Sequence, residues 1–103
     1  MLFGAPACKS SWKSCTGVSV EVDERAPLAR VELNGTPRAG VVVQFLVGDD
    51  TLGEGVTDDA GMATPKPPLP TDTSRYTAQV DPFSQRGELR KVCPAEDSAT
   101  LSR

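Results

Sequence analysis

Four aspartates, three cysteines and three aromatic side chains have the residue types and placement to do chemistry in this chain. Asp49-Asp50 and Asp58-Asp59 lie in glycine-containing turns, and oxygen-rich loops suit a hard cation such as calcium. The turns also account for the aspartates without any ion, because Asp side chains bond the backbone N–H groups of their own turn. EF-hand spacing is missing, so the four remain weak calcium candidates and no metal is expected. Trp12, Tyr76 and Phe83 are the binding candidates, able to stack on a sugar or grip a partner. Against that, capping one end of a sandwich is the favoured reading of Trp12, and the spacing around Tyr76 turns it inward.

The chain has no histidine. That removes the commonest general base, the commonest metal ligand and the Ser-His and Cys-His nucleophile pairs. Zinc held by the cysteines would need a fourth ligand, and the C-x2-C spacing is lacking. An intramolecular isopeptide bond needs Lys beside Asn or Asp, yet the one Asn sits in a turn and the lysines lie outside the clear strands. Paired carboxylates for glycoside hydrolysis need a cleft, which a chain this short offers poorly. We therefore read the chain as not an enzyme, with no catalytic residue and no cofactor; an enzyme using Asp and Glu is the less favoured alternative.

Cys8, Cys15 and Cys93 make an odd count. One disulfide would tie the N-terminal segment to the last part of the chain, as in secreted or surface modules. Cys15–Cys93 is favoured over Cys8–Cys15, whose loop is short, and three reduced thiols in a cytosolic protein are the alternative. Met1–Ala7 (MLFGAPA) ends in small residues before Cys8 but has no basic leader and too short an apolar run for a signal peptide. Any export signal is expected outside it.

These residues need elements to position them. At 103 residues, with 38% apolar and 5% aromatic side chains, the core must be built from Val, Leu and Ala. Nine Pro and nine Gly are too many for long helices and suit short strands with tight turns. No window approaches a membrane span. The net charge of −3 is scattered, and only Arg86, Arg90 and Lys91 cluster, with Glu88 among them. That reads as a solvated loop, and no nucleic-acid partner is expected.

After an irregular arm over residues 1–15, Val18, Val20 and Val22 alternate with polar residues, and Leu28 to Leu33 repeats the pattern. Asn34-Gly35 is a hairpin-turn signal; Asn34-Gly35-Thr36 is also a formal glycosylation acceptor, which the turn explains without it. Val41 to Val47 (VVVQFLV) is the most apolar run, covered on both faces in part, and so is expected at the centre of its sheet. Weak strands at Thr51–Val56 and Met62–Thr64 follow. Pro65 to Pro70 cannot pair centrally and should cross an end or edge as an extended, polyproline-like connection. Ser74 to Val80 alternates with Tyr76, Ala78 and Val80 inward, Leu89 and Val92 anchor a loop or short helical turn, and Ser98 to Ser102 closes the chain. The expected fold is all-β: an immunoglobulin-like Greek-key sandwich of about seven short strands over residues 16–103.

Three segments carry a resemblance. NGTPRAGVVVQF (Asn34 to Phe45) resembles the NGxPxAGxxVxF stretch of bacterial immunoglobulin-like domains, TDDAGMA (Thr57 to Ala63) their TDxxGxA turn, and SRYTAQV (Ser74 to Val80) their YTVxA strand. Similar wording occurs in invasin-type, carboxypeptidase-regulatory-like and transthyretin-like domains. The resemblance implies a non-catalytic spacer, adhesion or docking module, secreted, on a cell surface or carried on a phage particle. It would bind a protein or glycan partner through loops or a strand edge. The other reading is a carbohydrate-binding module using Trp12, Tyr76 or Phe83. The N-terminal arm, the proline run and the segment from Phe83 to Asp97 depart from the family pattern.

Overall fold

Alternating valines and a few tight turns produce two antiparallel sheets that face each other. The computed structural model describes residues 15–102. Eight strands follow in order: β1 Val18–Val22, β2 Ala29–Leu33, β3 Thr36–Pro37, β4 Val42–Val47, β5 Asp50–Val56, β6 Met62–Ala63, β7 Arg75–Val80 and β8 Ala95–Thr100. Two short 3-10 helices, Pro82–Ser84 and Gly87–Lys91, lie between β7 and β8. One sheet has β1 beside β2, with β3 and β6 both on the far side of β2. The other has the order β5-β4-β7-β8. The chain changes sheet between β3 and β4, returns with β6 and crosses again to β7, which is the sandwich the alternation predicts.

The reasons are local. Asn34 and Gly35 take positive φ, 50° and 84°, as a tight hairpin turn requires. The turn starts a two-residue strand, β3, in what reads from sequence as loop. Val41, Val43 and Phe45 point inward and are fully buried, whereas Val42, Gln44 and Leu46 are half-covered on the other face. β4 is central, between β5 and β7, as its double-sided apolar pattern predicts. Ala29, Val31, Tyr76, Ala78, Val80 and Val92 complete the middle of the core. The stacked rings of Phe45 and Tyr76, 6.2 Å apart, are its largest members.

The closing strand begins three residues earlier than the alternation of Ala99 and Leu101 suggests. Glu96 and Asp97 are poor strand formers, yet the whole of β8 pairs with β7, from Val80 opposite Ala95 to Arg75 opposite Thr100. Tertiary pairing overrides intrinsic preference there.

The proline run lies against the free edge of β5. Lys66 donates to the Glu54 carbonyl at 3.0 Å and accepts from the Glu54 N–H at 3.2 Å. Within Pro65-Lys66-Pro67-Pro68, only Lys66 has an N–H to give, and it is the one that pairs. The strap closes an edge that would otherwise be open to another strand.

Candidate functional site

Residues named from sequence fall in separate places. Asp50 opens β5 and Asp58 follows its end, so a seven-residue strand, roughly 23 Å long, separates the two aspartate pairs. The weak calcium candidates Asp49, Asp50, Asp58 and Asp59 therefore do not converge on one place. Among the described residues there is no group of three or more His, Cys, Asp or Glu side chains placed to hold a metal. Asp58 is occupied by its own turn: one carboxylate oxygen accepts from the N–H groups of Ala60 at 2.9 Å and Met62 at 3.0 Å.

Tyr76 is not a stacking platform, because only 1% of it is exposed. Its ring lies beside Phe45 and its hydroxyl reaches the turn between β1 and β2. The hydroxyl donates to the Asp23 carbonyl at 2.6 Å and accepts from the Leu28 N–H at 3.2 Å. Burial pushes the phenol pKa up, opposed by the Leu28 and Asp23 backbone bonds and aided by the Asp23 and Asp97 charges. Tyr76 thus pins the first turn of one sheet to a core strand of the other.

Phe83 is different. It stands 87% exposed on the first 3-10 helix. Beside it runs an open groove of about 460 Å³ lined by Gln79, Asp81, Pro94 and Glu96. The Asp81 side chain caps the helix by accepting from the Phe83 N–H at 3.0 Å. Trp12 and Cys8 lie outside the described residues. Arg86, Arg90 and Lys91 are exposed around the second 3-10 helix together with Glu88, as a solvated loop would place them.

The cysteines do come together. Cys15 and Cys93 form a disulfide across 78 residues, with their Cα atoms 5.0 Å apart. Thr16 is tied to the same place: its N–H donates to the Lys91 carbonyl at 2.8 Å, and its carbonyl accepts from the Cys93 N–H at 2.9 Å. No helix among the described residues is long and apolar enough to cross a membrane. The disulfide is compatible with an oxidising, extracellular setting.

Three polar side chains that carry no signal in the sequence hold this frame together. The register of β4 and β7, Gln44 opposite Gln79, would set Val42 opposite residue 81, but the chain leaves the strand there. Gln85 takes the missing place: its amide accepts from the Val42 N–H and donates to the Val42 carbonyl, both at 2.8 Å. Thr57, also buried, accepts from the Val41 N–H at 2.9 Å and donates to the Arg38 carbonyl at 2.6 Å. Asp97 accepts from the Val22 N–H of β1 at 3.2 Å and from the Ser98 N–H at 3.0 Å. An inward carboxylate on the β8 edge therefore joins the two sheets at their shared seam.

Comparison with protein-family models, curated proteins and solved structures finds no match for this chain.

Proposed function

We propose that this chain is a non-catalytic, immunoglobulin-like module of a secreted or surface-attached protein, acting as a spacer that presents its loops for docking or adhesion. The observation that carries this is the placement of its two described ends. Cys15 enters beside Cys93, at the start of β8. Ser102 leaves at the far end of β8, where its N–H donates to the Glu24 carbonyl at 2.7 Å, beyond the end of β1. The backbone thus enters one pole and leaves at the other, as serves a link in a row. A chain of two and then three joined copies should lengthen by about 30 Å or more per copy in small-angle scattering, the span of nine extended residues. A maximum dimension that does not grow with copy number would sink the spacer reading.

A second reading rests on Phe83, whose exposed ring beside the groove suits a glycan or peptide ligand. A ligand that binds the native state must raise the melting midpoint. A glycan panel that raises it for the parent chain but not for Phe83→Ala would favour this reading. No shift for either chain leaves the spacer.

A further inference from the structure

We infer that this domain is a load-bearing link in which tension runs through the Cys15–Cys93 disulfide and strand β8 alone, leaving residues 16–92 unloaded. The inference rests on the spacer reading for its biological setting, but its physical basis is the covalent path. A pull applied before Cys15 and after Ser102 meets the disulfide first and passes directly to Cys93. All that then remains in the load path is the stretch from Cys93 to Ser102, most of which is β8.

That stretch is already drawn out. Six of its residues are extended strand, and Leu101 and Ser102 continue outward, held by the Ser74 carbonyl at 2.7 Å and the Glu24 carbonyl at 2.7 Å. An extended strand lies close to the limit of about 3.6 Å per residue, so tension finds almost no slack to take up. The rest of the sandwich hangs off this line as a closed loop of 78 residues in sequence separation. It includes the Phe83 helix and the turn at Asp58, so surfaces presented to a partner keep their shape while the link is under load.

Without the disulfide the geometry inverts. Tension would pull β1 from its first residue and β8 from its last, in opposite directions along neighbouring strands. Few bonds cross that seam: the Thr16 pair, the Val22 N–H to Asp97 and the Ser102 N–H to Glu24. The fold itself would then bear the load and open.

The test holds the full chain by handles coupled at Ser14 and Arg103, just outside the path from Cys15 to Ser102, and compares its length at equal force before and after dithiothreitol is added. Reduction should release about 28 nm of contour, 78 residues at about 3.6 Å each. The oxidised chain should show no step larger than about 1 nm, which the few residues of the load path allow. Cys93→Ser should behave as the reduced chain, and contour length reports this even if that variant is unfolded at rest. A step of about 28 nm in the oxidised chain, or equal lengths in the two states, overturns the inference. The result is independent of the joined-copy scattering, so the load path and the spacer reading fail separately.

Discussion

Tyr76 shows how much of this fold depends on single polar atoms. Its hydroxyl serves Leu28 and Asp23 at once, bonding the backbone of the turn between β1 and β2. Tyr76→Phe keeps the ring but leaves the Leu28 N–H without that partner, at a cost of about 1–3 kcal/mol, read by urea denaturation. The same residue makes stability pH-dependent. Its folded pKa is raised above the ordinary 10.0, so the native state favours the neutral phenol. The contribution is complete below pH 10 and fades as the pH climbs from there through the raised folded value. The melting midpoint of the parent chain should therefore fall more steeply above pH 10 than that of Tyr76→Phe. Parallel curves would remove Tyr76 as the cause. Gln85 works in a similar way, replacing one residue of a strand that the chain abandons at Asp81.

At the scale of elements, the strap over β5 explains two glycines that make a strand look weak from sequence. Gly53 and Gly55 are buried opposite Phe45 and Val43, and the proline run passes directly over them. A Cβ built on Gly53 would sit 2.8 Å from both Pro65 and the Pro67 carbonyl, and one on Gly55 would run into the Thr64 carbonyl. Their lack of a side chain is what lets the strap lie close. Gly55→Ala should displace it, destabilise the domain by about 1–3 kcal/mol and expose the β5 edge. A rise in aggregation on heating, compared with Thr51→Ala at an exposed position of the same strand, measures the second effect. Unchanged stability in Gly55→Ala would mean that the strap is not packed as described.

For the whole molecule, the disulfide joins residues 78 positions apart in the sequence, yet at one pole in space. Loops of this length give the largest restriction of the unfolded chain, and loss of such a bond typically costs about 2–5 kcal/mol. Reduction should lower the denaturation midpoint accordingly. Alkylation before reduction should spare Cys15 and Cys93, and alkylation after it should label both, as intact mass will show. Label on either residue in the unreduced native protein would refute the bond.

What the sequence determined by itself is the class of the fold and the location of its turns. Alternation at Val18–Val22, the double-sided run at Val41 to Val47, Asn34-Gly35 and the proline run are local signals, and each is found where its periodicity or φ requirement puts it. Only the tertiary structure decided which residues meet. It separated the aspartate pairs to opposite ends of β5, gave the inward Tyr76 its partners at Asp23 and Leu28 and left Phe83 as the exposed aromatic of the pair. It also put Glu96 and Asp97 into a strand that their propensities disfavour and gave Gln85 a backbone's work. The physical reason is the same in each case. A period or a turn is written in neighbouring residues, whereas a hydrogen bond between residues 42 and 85, or a disulfide between 15 and 93, exists only once two sheets have packed face to face.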